Sequence, residues 1–180
     1  MDKPAVFLDR DGTLNVEKEY LHRWQDWEWI PGAIDAIRRL NEAGFLVIVT
    51  TNQSGIARGY YTEADVLELH RQVDADLARH GGHIDAYYYC PHHPQYGPLR
   101  DCDCRKPEPG MLLRAAEEHD IDLTRSYIIG DKAADIEAGL AVGATPILVL
   151  TGYGEQARAD VPPATLVVRD VGRAVEWILG

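Results

Sequence analysis

The sequence of 180 residues lacks any apolar run long enough to cross a membrane. Its longest runs, at residues 45–49 and 147–150, are far shorter than the roughly 20 apolar residues of a membrane-spanning helix. The first residues also lack the basic segment, apolar stretch and small-residue cleavage site that together indicate secretion. We therefore expect a cytoplasmic protein that does not associate with membranes.

Positive charge is also scarce. Lys and Arg number 18 against 29 Asp and Glu, so that the formal net charge is −11. This balance disfavours nucleic-acid binding through a general basic surface, because such binding depends on many Lys and Arg contacts to phosphates. A small anionic substrate is still compatible with it, since local cations decide such binding. The cations in or beside the motifs described below are Arg10, Arg58, Arg105, Lys106 and Lys132.

Cysteine is limited to three residues, all between positions 90 and 104. An odd count in so tight a cluster favours metal binding in a reducing compartment over a framework of disulfides. With one histidine, the three thiolates supply a closed tetrahedral set for a structural Zn²⁺ that would order loop 90–106: Cys90, His92, Cys102 and Cys104. Three buried free cysteines are the alternative. His93 is the spare imidazole and faces either solvent or the cleft.

Short apolar runs alternate with helical patterns along the whole chain. The predicted strands are Ala5–Leu8, Phe45–Thr50, Ala86–Tyr89, Tyr127–Ile129 and Pro146–Leu150. The predicted helices are Ala33–Ala43, Glu63–His80 capped by Thr62, Pro109–His119, Ala133–Val142 and Val171–Leu179. This alternation predicts an α/β fold with a doubly wound, mainly parallel sheet in one domain, residues 1–180. Ligands of such a sheet bind beyond the carboxyl ends of the strands. Nothing in the sequence requires more than a monomer.

The segment Phe7–Asn15 reads FLDRDGTLN and places two carboxylates directly after the first strand. Alternate residues of an extended chain point the same way, so Asp9 and Asp11 are expected at one spot, and Gly12 lets the chain turn away. Paired carboxylates can hold a divalent cation while one attacks phosphorus and the other handles the proton. An acidic turn on a solvated surface is the alternative, but three motifs downstream agree with the chemical interpretation.

Polar residues also follow the second strand, where the chain reads VTTNQSG. A hydroxyl, two amides and a Gly-rich turn at a strand end can donate several hydrogen bonds to phosphate oxygens. An ordinary polar loop would have the same composition. The candidate phosphate ligands here are Thr51, Asn52, Gln53 and Ser54.

Two further motifs read RKP at residues 105–107 and GDKAAD at residues 130–135. Proline stiffens the first, so that Lys106 can hold its ammonium at a fixed point, although a solvated surface lysine is the alternative. In the second, Asp131 could complete an oxygen cage for Mg²⁺ with Asp9 and a backbone carbonyl. Asp135 is either a simple helix-start acid or a residue that orients the site.

Together, the strings FLDRDGT, VTTNQSG, RKP and GDKAAD resemble the four motifs of the haloacid dehalogenase phosphatase superfamily over residues 7–152. The resemblance implies that Asp9 is the nucleophile that forms an aspartyl-phosphate, and that Asp11 protonates the leaving oxygen and then activates water. It further implies that Thr51 and Lys106 hold the phosphoryl oxygens. Mg²⁺ would be bound by Asp9, the Asp11 carbonyl and Asp131.

A small chain without an inserted cap domain, but with the cysteine loop, is similar to two related branches. These are the D-glycero-D-manno-heptose 1,7-bisphosphate 7-phosphatases and the histidinol-phosphate phosphatase domains, and the strings TNQSGIARG, CPHHP and CDCRKPEPGM look like the heptose branch. That branch implies removal of the 7-phosphate on the way to ADP- or GDP-heptose precursors, with Arg105 on the second phosphate and the zinc loop closing the cleft. The residues expected to bind substrate are Arg10, Glu17, Lys18, Glu19, Tyr20, Asn52, Gln53, Ser54, Arg105 and Lys132.

A catalytically silent, zinc-stabilised binding module on the same fold is the alternative from another functional class. A binder needs no nucleophile, so the Asp9–Asp11 pair favours the enzyme. A DNA 3′-phosphatase is disfavoured by the acidic net charge and by the lack of an aromatic–basic stripe. The WQDWEW segment, residues 24–29, matches no functional pattern, and aromatic packing over the sheet is expected there.

Overall fold

Six strands form one parallel sheet in the computed structural model, which describes residues 1–180. The strands are β1 (Ala5–Leu8), β2 (Leu46–Asn52), β3 (Ala86–Cys90), β4 (Tyr127–Gly130), β5 (Thr145–Val149) and β6 (Leu166–Val168). Their order across the sheet is β3-β2-β1-β4-β5-β6, and every pairing is parallel. The expected doubly wound α/β fold is confirmed.

The helices are α1 (Ala33–Glu42), α2 (Glu63–Arg79), α3 (Gly110–His119), α4 (Ala133–Ala141), α5 (Gly154–Ala157) and α6 (Val171–Leu179). As predicted, Thr62 caps α2, and its hydroxyl accepts the backbone N–H of Asp65 in a capping box. None of the helices combines the length and the apolar character that crossing a membrane requires.

Helices cover both faces of the sheet, which explains the continuous apolar runs of the central strands. Val6 and Leu8 of β1 face a core shared with α1, α2 and α6. Ala5 and Phe7 face the opposite core, which is shared with α3 and α4. The two-residue alternation along β1 therefore divides its side chains between two separate hydrophobic layers.

Two elements near the carboxyl terminus were not predicted. Strand β6 contains three residues, all only half-buried, and α5 contains four. Neither is long enough to produce a periodic pattern in the sequence. On the other side of the sheet, β2 continues two residues beyond the predicted end, because Thr51 and Asn52 still pair with Tyr89 and Cys90 of the edge strand β3.

The WQDWEW segment packs as expected. Its three tryptophans lie against the core beneath α1, α2 and α6. The rings of Trp24 and Trp27 stack at 6.2 Å, and those of Trp27 and Trp29 meet edge to face at 5.1 Å. The indole N–H of Trp29 also donates to Asp76 on α2 at 2.8 Å. This segment therefore anchors the chain between β1 and α1.

The sheet contains one point at which its winding reverses, between the neighbouring strands β1 and β4. The chain moves outward in one direction from β1 to β2 and β3, and in the other direction from β4 to β5 and β6. Loops diverge at such a point and leave a crevice at the carboxyl ends of the strands. Asp9 and Asp131 are the first residues after β1 and β4, so both lie at this crevice.

Candidate active site

A cavity of about 440 Å³ opens at the carboxyl ends of β1, β2 and β4. Four separate stretches of chain meet there, as the motif positions predicted. The structure brings most of the predicted site residues to its wall: Asp9, Asp11, Glu17, Glu19, Tyr20, Thr51, Asn52, Gln53, Ser54, Arg105, Lys106 and Lys132. Asp131 lies just beneath the wall, with no exposed surface.

Two residues that were expected to bind substrate, Arg10 and Lys18, are not on the wall of this cavity. Arg10 is 1% exposed, since it stands between two carboxylates that face the cavity and its own side chain points to the opposite side of the strand end. Its guanidinium donates to Asp11 and to the carbonyl of Leu21. Lys18 turns outward and bonds the Asp26 carbonyl and the Glu28 carboxylate.

Lys106 is the most enclosed cation of the site. Its side chain is 2% exposed, and its Nζ donates to Asp9 Oδ1 at 3.0 Å, to Asp135 Oδ1 at 2.6 Å and to the Thr50 carbonyl at 2.6 Å. Burial acts to lower the pKa of Lys106, but the charges of Asp135 and Asp9 outweigh it and raise the pKa above its ordinary value. Lys106 is therefore a fixed positive charge directly beside Asp9.

Asp135 takes both of the roles considered for it. One of its oxygens accepts Lys106 and the other accepts the backbone N–H of Lys132 at the start of α4. Both oxygens are thus occupied by protein donors. Its carboxylate lies within 4.8 Å of those of Asp9 and Asp131, yet its bonding indicates that it positions Lys106.

Asp131 has the bonding pattern of a metal ligand. Oδ2 accepts the backbone N–H of Tyr153 at 2.9 Å, whereas the buried Oδ1 has no hydrogen-bond partner. Burial and the neighbouring carboxylates of Asp9 and Asp135 raise the pKa of Asp131 to about 9. A buried acceptor without a donor, placed among like charges, is satisfied by a cation, so these residues fit a Mg²⁺ ion.

Two glycines make room for this carboxylate. A Cβ added at Gly12 would lie 2.1 Å from Asp131 Oδ2, and one added at Gly152 would lie 2.2 Å from the same atom. Both residues also have positive φ angles, 86° and 57°. The backbone at Gly12 and at Gly152 therefore packs directly against the Asp131 carboxylate and fixes its position.

Asp11 is held by hydrogen bonds from three neighbouring side chains. Arg10 and Asn15 donate to Oδ1 at 3.1 and 3.0 Å, and Gln53 donates to Oδ2 at 3.0 Å. Burial acts to raise the pKa of Asp11, but the Arg10 charge and these hydrogen bonds together hold it below its ordinary value. Its carboxylate is thus oriented independently of the Asp9 cluster.

The end of β2 connects Asp11 to the rest of the wall. Gln53 donates to both Asp11 and Thr51 Oγ1, and its own carbonyl accepts the hydroxyl of Tyr61. Asn52 forms two hydrogen bonds with the backbone of Lys106, at 3.0 and 3.1 Å. This amide pair joins the end of β2 to the end of the cysteine loop and so fixes where Lys106 emerges.

The cysteine loop brings its four predicted ligands together. The ligand atoms of Cys90, His92, Cys102 and Cys104 all lie within 4.8 Å of one another, and the three cysteines are free. The Sγ atom of Cys102 lies 3.7 Å from that of Cys90 and 3.5 Å from that of Cys104. A tetrahedral Zn²⁺ with Zn–S bonds of about 2.3 Å would place its sulfurs about 3.8 Å apart. The Cys90–Cys104 separation is shorter, at 2.8 Å. The donor set fits a structural zinc ion.

The loop after β1 is bent sharply towards the cavity. Glu19 and Tyr20 both have left-handed backbone conformations, with φ angles of 51° and 55°. This region is unfavourable for residues with a Cβ, and such strain is typical of functional loops. The carboxylate of Glu17 accepts the N–H of Glu19 and supports the bend. As a result Glu17, Glu19 and Tyr20 all reach the wall.

Several wall residues were not among the predicted site residues: Arg58, Tyr61, His93, Asp135 and Tyr153. The sequence presents Arg58 only as a cation near a motif, and His93 only as a spare imidazole. Tyr61 and Tyr153 carry no sequence signal, because each lies in a loop and reaches the site through tertiary packing. Tyr153 lies under Lys132, whose Nζ is 5.1 Å from its ring centre.

The fold and the site define a hydrolase of the haloacid dehalogenase type, with an aspartate at the end of β1 beside a fixed lysine and a cation-binding carboxylate. A family model described as HAD-hyrolase-like matches residues 103–174. The protein named D-glycero-beta-D-manno-heptose-1,7-bisphosphate 7-phosphatase in Yersinia pestis is 49% identical over 98% of this chain and 89% of its own length. Its namesake in Escherichia coli K12 is 50% identical over 83% of this chain and 80% of its own length.

A solved structure shows the same relationship. The D,D-heptose 1.7-bisphosphate phosphatase of B. bronchiseptica, complexed with magnesium and phosphate, is 36% identical, covers 98% of both chains and superposes with a TM-score of 0.89. This chain belongs to the D-glycero-beta-D-manno-heptose-1,7-bisphosphate 7-phosphatase family. The resemblance to the heptose branch, stated from the sequence motifs, is confirmed.

Proposed function

We propose that this chain hydrolyses the 7-phosphate of D-glycero-D-manno-heptose 1,7-bisphosphate in a Mg²⁺-dependent reaction. The names of its relatives specify the β anomer, and we extend that preference to this chain. The observation that carries the proposal is the contact between Asp9 and Lys106, two buried and oppositely charged side chains at the wall of a polar cavity. Asp9 would supply the nucleophile, and Lys106 beside it would supply the positive charge that stabilises the phosphoryl oxygens.

In the first step, a carboxylate oxygen of Asp9 attacks phosphorus and the bond from phosphorus to the sugar oxygen breaks. Asp11 donates a proton to that departing oxygen, so the product leaves as an alcohol. Because Arg10 and three hydrogen bonds hold the pKa of Asp11 low in the free site, this proton enters with the substrate, whose phosphate monoester is partly protonated near neutral pH. Lys106 and Thr51 bind the non-bridging oxygens, whose charge must be stabilised throughout the transfer. The aspartyl-phosphate on Asp9 is the resulting intermediate.

In the second step, Asp11 accepts a proton from a water molecule, which attacks phosphorus and breaks the bond to Asp9. Inorganic phosphate takes this proton from Asp11 and leaves, and both carboxylates return to their initial states. Gln53, Asn15 and Arg10 hold the Asp11 carboxylate in one orientation for both proton transfers. One oriented acid and base therefore serves both steps.

We propose that Asp9, Asp131 and the backbone carbonyl of Asp11 hold the Mg²⁺ ion. When bound, it would neutralise the crowded carboxylates and the charge of the phosphoryl group. The unpartnered Oδ1 of Asp131 supports this assignment. The relative from B. bronchiseptica was crystallised with magnesium and phosphate.

We further propose that Cys90, His92, Cys102 and Cys104 bind one structural Zn²⁺. The loop they would order contributes Arg105 and Lys106 to the cavity. Arg105 is assigned to the second phosphate, because it reaches the wall and has no carboxylate partner within 4.0 Å. The remaining wall residues of the predicted set, Glu17, Glu19, Tyr20, Asn52, Ser54 and Lys132, are assigned to the sugar and its phosphates.

A phosphate-release panel tests the function. Purified enzyme with Mg²⁺ is given the heptose 1,7-bisphosphate, the heptose 7-phosphate and histidinol phosphate at equal concentrations. The bisphosphate should have the highest kcat/KM, and the product should retain its 1-phosphate. Preferred hydrolysis of histidinol phosphate would reject the proposed substrate while leaving the phosphatase chemistry in place. A cytoplasmic location, a monomeric state and a single domain over residues 1–180 stay predictions.

A further inference from the structure

Arg58 and His93 lie next to each other on the cavity wall, and each directs a hydrogen-bond donor at the other. Arg58 Nη2 lies 3.4 Å from His93 Nε2. The other ring nitrogen, Nδ1, accepts the backbone N–H of Gln95 at 3.0 Å. A backbone N–H can only donate, so Nδ1 carries no proton and the ring proton must sit on Nε2. Two N–H donors therefore point at one another.

Such a pair requires an acceptor between or beside the two groups. Arg58 has no carboxylate within 4.0 Å, unlike most arginines of this chain, and its Nε also has no hydrogen-bond partner. Arg105, also on this wall, is equally free of carboxylates and donates to the backbone carbonyl of His92. Convergent donors with net positive charge select an anion with several oxygens.

The position of Arg58 is set in advance by aromatic rings. Its guanidinium carbon lies 4.3 Å from the ring centre of Tyr96 on the cysteine loop and 5.6 Å from that of Tyr20 on the loop after β1. The ring of Tyr96 also packs on His93, with centres 4.9 Å apart. Stacking on tyrosine rings occupies the faces of the guanidinium and leaves its edge for hydrogen bonds.

We propose that Arg58 and His93, with Arg105, form the subsite for the second phosphate of the substrate, in which one phosphate oxygen accepts from Arg58 and His93 together. This inference rests on the proposed function and adds to it two residues that decide specificity. The reacting phosphate is served by Lys106 and Thr51, so the subsite acts on binding at the distal end alone.

The decisive measurement is the ratio of kcat/KM for the bisphosphate to kcat/KM for the matched monophosphate that lacks the distal group. Arg58→Gln should lower this ratio about 10- to 100-fold, the range expected for one charge-assisted contact. His93→Phe keeps an aromatic ring against Tyr96 but removes both nitrogens, and should lower the ratio about 3- to 10-fold, the range for a hydrogen bond without formal charge.

Arg100→Gln is the matched control. Arg100 is an exposed arginine of the same cysteine loop, is absent from the cavity wall and bonds only the Gly97 carbonyl. Its loss removes the same formal charge, but an exposed charge is screened by solvent and salt, so the ratio should stay within about 2-fold of wild type. A selective loss equal to that of Arg58→Gln would show a long-range charge effect and overturn the subsite.

A second readout does not depend on turnover. The sugar 1-phosphate product carries the distal phosphate alone, and its inhibition constant as a competitive inhibitor should rise in Arg58→Gln by the same factor as the ratio falls. Zinc content and thermal unfolding of each variant show whether the loop is intact, and His93→Phe serves if Arg58→Gln does not fold.

The two possible failures are distinguishable. If wild-type enzyme does not prefer the bisphosphate over the monophosphate, the proposed substrate is wrong. If wild-type enzyme has that preference and both variants lose activity equally on the two substrates, the preference is real and the subsite assigned to Arg58 and His93 is wrong.

Discussion

Lys106 and Asp135 form a buried ion pair in which Nζ lies 2.6 Å from Oδ1 and each side chain is only 2% exposed. The two residues come from different parts of the chain, one from the end of the cysteine loop and the other from the first turn of α4. The pair therefore joins the cysteine loop to the start of α4, and it holds the Lys106 ammonium beside Asp9. Removing one partner should affect stability and catalysis together.

Asp135→Asn tests this pair. Loss of the charge leaves Lys106 with Asp9 as its single anionic partner, so the free energy of unfolding should fall by about 3 kcal/mol, the lower end of the cost of breaking a buried pair. Catalytic turnover should also fall at least about 10-fold, because Lys106 is no longer held in place. Denaturant titration and steady-state kinetics measure the two effects.

Asp65→Asn is the control for that variant. Asp65 holds the equivalent position at the start of α2 and bonds the backbone N–H of Thr62, but it has no lysine partner. Its replacement should cost about 1 kcal/mol or less and leave turnover unchanged. Equal effects of the two substitutions would show that Asp135 acts only as a helix cap.

Asp9→Asn should reduce turnover about 10³-fold or more, because the amide cannot attack phosphorus. The fold should persist, since Lys106 keeps Asp135 and the Thr50 carbonyl, and Asp131 loses a repelling neighbour. Activity is followed by phosphate release and folding by circular dichroism. Retention of a tenth of wild-type activity would be incompatible with a covalent mechanism through Asp9.

The zinc site predicts one equivalent of Zn²⁺ in protein purified under reducing conditions without chelator. Cys102→Ala should release the metal and raise KM more than it lowers the stability of the sheet, because the loop carries Arg105 and Lys106. Elemental analysis gives the stoichiometry. Well under one equivalent in the wild-type protein would contradict the assignment.

Arg105→Ala should weaken kcat/KM for the bisphosphate about 10- to 100-fold, as expected for loss of one charge-assisted contact. The effect on a monophosphate that lacks the distal group should be much smaller. Lys106→Ala should damage hydrolysis of both substrates alike, since each presents the same transferring group. Equal losses in Arg105→Ala on the two substrates would argue against a role at the second phosphate.

The strand-end motifs predicted most of the fold and most of the cavity wall, for a simple physical reason. In a parallel sheet the carboxyl ends of the strands share one edge, so residues at or just after the ends of β1, β2 and β4 must meet. The meeting of Asp9, Thr51 and Lys132 at one wall follows from that rule without knowledge of any side-chain contact.

The direction of individual side chains could not be predicted in the same way. Arg10 appeared to be a cation at the active site, but its position between Asp9 and Asp11 turns it to the far side of the strand end. Arg58 and His93 lie on the wall, where the ring of Tyr96 packs against both of them and the ring of Tyr20 against the guanidinium. Such packing between loops has no periodic signature in a sequence.

The two glycines against Asp131 have a consequence for how this chain tolerates mutation. Gly12 and Gly152 contribute no functional group, yet any side chain there meets the carboxylate at little more than 2 Å. In a saturation mutagenesis screen both positions should be as intolerant as Asp131 itself. Gly32 and Gly143, which also have positive φ angles but open space around them, should accept asparagine. Positions that do not tolerate substitution would then include residues that pack around the proposed metal ligand Asp131 without binding the metal themselves.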